Sequence, residues 1–141
     1  MTLGDIPIAV EPGGPAAPSG QVHALLHEIV AHLRHLAATG EAAGIDLCSL
    51  PLAPEDRRAL ACWLGRGEVT ATVQALGPTA VYETAVPGVW WLTHRNSDEQ
   101  IVAELIEITR CPELVVTPVQ DVEDGVERLT TALGREPPDT G

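Results

Sequence analysis

The side chains best suited to chemistry are concentrated in one stretch. Four of the five histidines, His23, His27, His32 and His35, fall within a single amphipathic run. His23 and His27 are four residues apart, the spacing with which a helix offers two imidazoles to one metal ion, and Glu28 and His32 repeat it. On a helical wheel, however, the four rings spread over most of the polar half and do not converge on a point. A metal centre would also need a donor from elsewhere, with His94 and the cysteines as the soft candidates. The plain reading is a solvated polar face. The alternative is a metal- or iron–sulfur-cluster-handling protein that uses His23, His27 and Cys111. No cofactor is expected.

Cys48, Cys62 and Cys111 are too few and too scattered for a disulfide framework, and no CxxC occurs. Cys48 is read on a strand and Cys62 inside a helix, where lone thiols behave as small core residues. Cys111, before Pro112, is expected in an exposed loop. Gly65-Arg66-Gly67 is a hinge far from a phosphate-binding GxxxxGK[ST] loop, and Ser19, Ser49 and Ser97 lie in no nucleophile-elbow context. Asp121 and Glu123 belong to a solvated helix start. These residues define no active site, and no enzymatic activity is expected.

Trp90-Trp91 is the most informative pair. Adjacent strand residues point to opposite faces, so two neighbouring tryptophans need both faces of the sheet covered. The protein's own helices serve one face. The other needs a second helix layer, a homodimer partner or a client protein, and tryptophan is a favoured anchor at such interfaces. One ring is expected in the core and the other partly exposed; the plain alternative is that both rings are internal.

Several elements must position these residues. A helix is predicted over 20–38, capped by Ser19 and stopped at Gly40, with Val22, Leu25, Leu26, Ile29, Val30, Leu33 and Leu36 on its apolar face. Ile45, Leu47 and Ser49 alternate with their neighbours as a short strand bounded by Gly44 and Pro51. A second helix, 54–64, opens on Pro54, carries Glu55 and Asp56 in its first turn, stops at Gly65 and buries Leu60, Trp63 and Leu64. Strict alternation over 68–76, with Val69, Ala71, Val73 and Ala75 on one side, marks a strand. Further strands are read over 81–86, 89–94 and 101–108, with Pro87-Gly88 breaking or bulging the ladder. A last helix spans 119–133 and ends at Gly134. The order α-β-α-β-β-β-β-α makes the class α+β, a mostly antiparallel meander flanked by about three helices. Residues 1–19 and 135–141 read as Pro/Gly-rich tails around one domain, 20–134.

Composition narrows the partners. The 141 residues carry 20 acidic and 8 basic side chains, all of the latter arginine, for a net charge of -12. Such a balance excludes non-specific nucleic-acid binding and docking on an anionic membrane. With neither a signal-peptide pattern nor an apolar run of about 18 residues, a cytoplasmic protein is expected.

The stretch IDLCSLPLAPEDRRALACWLGRGEVTATVQALGPTAVYETAVPGVWWL resembles the C-terminal region of the HupH/HyaF hydrogenase expression proteins. The carrying positions include Ile45-Asp46-Leu47, Leu50-Pro51-Leu52, Asp56, Leu64-Gly65, Gly67-Glu68-Val69, Glu83-Thr84 and Pro87-Gly88-Val89-Trp90-Trp91. The resemblance covers about residues 22–115, and LGxGEV followed by ETxxPGVWW is its specific part. It implies an accessory, chaperone-like role in [NiFe] hydrogenase maturation, with the iron–sulfur small subunit and other maturation factors as partners. Longer members carry a further N-terminal region. The expected partner-binding residues are Glu83, Thr84, Pro87, Gly88, Trp90 and Trp91, with Glu68 beside them.

Overall fold

The computed structural model describes residues 19–74 and 77–135. The tails expected at 1–19 and 135–141 lie outside them except at their inner ends: Ser19 caps the first helix and Arg135 belongs to the last.

Helix α1 (Gly20–Thr39) begins where Ser19 Oγ accepts a hydrogen bond from Val22 N at 3.2 Å, and ends where Gly40 N donates to Leu36 O at 2.8 Å. Val22, Leu25, Ile29 and Leu36 form its buried stripe. Val30, read on that face, points outward and is 42% exposed, because it lies about 100° around the helix from Ile29.

Strand β1 (Ala43–Asp46) is shorter than its alternation predicts. The Asp46 carboxylate accepts from Cys48 N at 3.0 Å and Ser49 Oγ donates to Asp46 O at 2.9 Å, which turns Leu47–Ser49 into a 3-10 turn. Leu47 nevertheless enters the core, while Cys48 stays exposed. Helix α2 (Pro54–Leu64) runs as predicted and buries Leu60 and Leu64. Trp63, expected in the same stripe, is 36% exposed, one helical step off it. Cys62 is also exposed rather than a core thiol.

Strands β2 (Thr70–Gln74), β3 (Pro78–Glu83), β4 (Val89–Arg95) and β5 (Ile101–Ile108) form the meander, and β1 adds to its far edge. The five-stranded sheet has the order β1-β5-β4-β3-β2, antiparallel throughout. β3 starts and stops earlier than the predicted 81–86. Residues 84–88 form the connection to β4, so Pro87-Gly88 lies in a hairpin turn, and the ladder irregularity falls instead between His94 and Arg95. The positions Ala75 and Leu76 of the predicted second strand lie outside the described residues.

One sheet face packs on α1 and α2. Its core joins Val22, Leu25, Ile29, Leu60 and Leu64 from the helices to Val89, Trp91, Ile106 and Ile108 from the sheet. The opposite face carries a smaller cluster, Val81, Trp90 and Leu92, supported by Ala71 and Leu105. Helix α3 (Val119–Arg135) buries none of its residues, and Gly134 lies inside it rather than ending it.

Candidate partner-binding site

The two sequence motifs fold onto one another. Gly67 N donates to Glu83 O at 2.7 Å, Glu83 N to Val69 O at 2.9 Å, and Ala85 N to Leu64 O at 2.9 Å. A Cβ on Gly67 would lie 2.6 Å from Thr84 O, so only glycine admits this approach. Thr84 is 2% exposed. Its hydroxyl donates to Val89 O at 2.9 Å and accepts from Val86 N at 3.1 Å, which fixes the turn. Gly88, at φ +93, passes beneath Leu33, whose Cδ2 would be 3.1 Å from any added Cβ. Gly67, Thr84 and Gly88 thus join helix, sheet and turn. Of the expected binding residues, Thr84 is internal.

Both tryptophans are buried, Trp91 at 4% exposure and Trp90 at 8%, and this corrects the expectation that one ring lies partly open. They do point to opposite faces. Trp91 stacks on Tyr82 with ring centroids 6.2 Å apart, and its Nε1 donates to Glu104 Oε2 at 2.9 Å. Glu104, 6% exposed, also lies 2.7 Å from Arg57 Nη1 across to α2, an ionic contact rather than a directed hydrogen bond. Arg66 lies over the Tyr82 ring at 3.8 Å. Burial pushes the Tyr82 phenol up, against the opposing pull of Arg66. No sequence pattern announced this network, because Arg57 and Glu104 are 47 positions apart and meet only across the helix–sheet interface.

Trp90 faces the other way. Its Nε1 donates to Thr109 O at 3.1 Å, at the start of the segment that leads to α3. Among the described residues, no α-helix sits on this face. A groove of about 640 Å³ runs along it, floored by Leu92, Ala103 and Leu105 and walled by Leu114, Val116 and Pro118. Its polar rim includes Glu107, Glu113 and the hydrogen-bonded pair Thr79 and His94. Leu114 is 44% and Val116 50% exposed.

Glu83, Trp90 and Glu107 are register partners across β3, β4 and β5, so they share the open face in one row. Burial holds the Glu107 carboxyl above the usual glutamate range, and the Glu113 carboxylate adds to the effect. At the end of that row, Glu83, Pro87 and Gly88 line a second depression of about 670 Å³ with Leu33, Leu36 and Arg110. Glu68 is exposed just before β2 and lines neither the groove nor this depression. The predicted set therefore separates into surface residues (Glu83, Pro87, Gly88, Glu68), a buried turn anchor (Thr84) and two buried rings.

The histidines stay on the outer side of α1. His23 and His27 make an edge contact at 4.5 Å, His32 pairs with Glu28 at 3.3 Å and His35 with Glu41 at 2.6 Å. Among the described residues, no group of three or more His, Cys, Asp or Glu is placed to hold a metal ion. Cys111 is exposed, as expected, and its amide N donates to Thr109 Oγ1 at 3.3 Å.

A helix pair on one side of an antiparallel sheet, an apolar groove with an acidic rim on the other, and two interlocked glycine motifs define a small α+β domain. Residues 21–135 match the model of the HupH hydrogenase expression protein, C-terminal conserved region, and the chain belongs to that family. It is 33% identical over 127 residues to the hydrogenase expression/formation protein HoxQ of Azotobacter vinelandii, covering 90% of this chain and 42% of that one. It is 29% identical over 106 residues to the hydrogenase-1 operon protein HyaF of Escherichia coli, with coverages of 75% and 36%. The solved hydrogenase expression protein HupH from Thiobacillus denitrificans superposes with a TM-score of 0.79 at 44% identity, over 85% of this chain and 100% of that one. The chain spans less than half the length of the curated relatives it matches. Among the described residues, no helix is long and apolar enough to cross a membrane.

Proposed function

We propose that this protein is a non-enzymatic, chaperone-like accessory factor of [NiFe] hydrogenase maturation, working in the cytoplasm alongside other maturation factors. Its client is the iron–sulfur small subunit, held before assembly. The observation that supports this reading is the uncovered sheet face. Leu92, Ala103 and Leu105 form the floor of the groove there, and Leu114 and Val116 present aliphatic surface beside it. Exposed apolar grooves with polar rims are what a soluble protein keeps for a partner.

The groove takes an extended or helical client segment that pairs aliphatic side chains with arginine or lysine. The aliphatic groups fill the space over Leu92 and Leu105, and the cations meet Glu83, Glu107 and Glu113. The depression lined by Pro87 and Gly88 extends the same surface past Glu83.

Co-purification of the small subunit with a Leu114→Asp/Val116→Asp variant tests the proposal. Both residues are exposed, so the melting temperature should stay within a few degrees of the parent. Capture should fall about tenfold or more, the loss of a hot-spot contact. Undiminished capture by a folded variant would refute the placement of the client.

A further inference from the structure

Beside α2 the helical layer leaves a cleft of about 480 Å³ over the sheet, on the face opposite the client groove. Its floor is Tyr82, Trp91, Thr93 and Glu104, and its wall is Pro54, Arg57, Arg58 and Ala61. The wall residues recur at three-, one- and three-residue steps, which places them on one face of α2. Ala61 lies a turn beyond the two arginines, and its short side chain leaves the space beneath them open. Two of the chain's 8 basic residues line the cleft, and Arg66 adds a third at 3.8 Å over the Tyr82 ring.

Charge and hydrogen bonding are both incomplete here. Arg57 is matched by Glu104, whose Oε1 lies 2.7 Å from its Nη1. Arg58 makes no ion pair among the described residues, although the chain has 20 acids to offer. The cleft therefore keeps an unmatched positive charge in an acidic protein. Glu104 Oε2 accepts from Trp91 Nε1 at 2.9 Å, but Glu104 Oε1 accepts no directed hydrogen bond and Arg57 Nε donates none, and both atoms are buried. Such atoms are rare in a folded interior, because each has left water without a replacement partner. A ligand that brings an anion for the arginines and a donor for Glu104 supplies what all three groups lack.

We propose that this cleft binds a carboxylate with an aliphatic body and an N–H or O–H donor on the adjoining carbon, as a hydroxy acid or the free C-terminus of a peptide has. The carboxylate lies between Arg57 and Arg58 and draws the Arg57 guanidinium, on a side chain 33% exposed, away from Glu104. The adjoining donor then meets Glu104 Oε1, and the aliphatic body packs on Tyr82 and Ala61. Burial keeps the Tyr82 phenol protonated at neutral pH, so its hydroxyl is a further donor beside the carboxylate. The site uses no residue of the client groove and stands apart from the reading of that groove.

Nuclear magnetic resonance of the full chain, titrated with N-acetyl-L-leucine and read on the indole N–H signals, tests the site. The Trp91 signal should shift with occupancy, while that of Trp90, on the other face of the sheet, should stay in place. Arg58 is exposed, so Arg58→Gln should fold like the parent. Its binding should be about tenfold weaker or more, the loss of one charge-assisted contact. N-acetyl-L-leucinamide, which lacks the charge, should not bind. Isocaproate, which keeps the carboxylate and lacks the donor, should bind severalfold more weakly than N-acetyl-L-leucine. A Trp91 signal unmoved at the probe's solubility limit would overturn the proposal. So would undiminished binding by folded Arg58→Gln, or equal binding of the amide or of isocaproate. An acetylated tripeptide ending in leucine and leucic acid separate the two sources of the ligand. Tighter binding of the peptide assigns the cleft to a polypeptide chain end, and tighter binding of leucic acid to a free small acid.

Discussion

The two faces of the sheet share every strand and differ in almost everything else. Along β4, Val89 and Trp91 meet the helices α1 and α2, while Trp90 and Leu92 point to the opposite face, Leu92 into the groove. On the helical side, Glu104 accepts from Trp91 Nε1 and makes an ionic contact with Arg57, and the aliphatic residues interlock into one large core. On the other side, Val81, Trp90 and Leu92 form a small cluster, and among the described residues no α-helix lies over it. Burying apolar area is the main source of stability, and the helical side supplies most of it. The groove side keeps apolar surface that the fold does not consume, with carboxylates around it. Core and open groove are thus separated by the period-two alternation of a single strand.

Substitution of the adjacent tryptophans is the strongest way to break that comparison. Trp91→Ala should cost about 3–5 kcal/mol, because it empties the helix-covered core and strips Glu104 of a donor. Urea unfolding curves would measure the loss. Trp90→Ala should cost less, about 2–3 kcal/mol, because the thinner layer above it can collapse into the gap. Equal costs would mean that the two faces are equally closed.

The smallest effect concerns pH. The Glu107 carboxyl is held above its ordinary range by burial, so the folded state binds its proton more tightly than the unfolded chain does. The stability tied to that proton is present below the unfolded pKa and is lost as pH rises through the raised folded value. Glu107→Gln should flatten the stability profile across that window and stabilise the neutral-pH protein by less than about 1 kcal/mol. Denaturant midpoints at several pH values on either side of the glutamate range would show it. An unchanged profile would mean that Glu107 is fully solvated and forms no part of the groove.

Much of this architecture was legible in the chain. Ser19 and Gly40 bound α1, Pro54 opens α2, and alternation located the strands, because caps, prolines and period-two patterns act locally. The placement of Trp90 and Trp91 on opposite faces also read correctly. What escaped was whatever depends on distant segments. Trp90 is closed by a hydrogen bond to Thr109, so its burial could not be read from β4. Thr84 looked like a binding residue but is a turn anchor, since its hydroxyl is committed to Val89 O. Leu92, Leu105, Leu114 and Val116 look like ordinary aliphatic residues until the sheet brings them to one groove. Trp63 and Val30 each missed their stripe by one helical step, where wheel geometry tolerates either reading.

The central claim is that the helix-free face receives the client. Carboxyl footprinting of the complex with purified hydrogenase small subunit tests it most directly, because acidic residues lie on both sides of the molecule. Carbodiimide labelling of Glu83, Glu107 and Glu113 should fall severalfold on binding, while Glu28 on α1 and Glu55 on α2 remain as reactive as in the free protein. Protection of Glu28 and Glu55, with Glu83, Glu107 and Glu113 unchanged, would contradict the account.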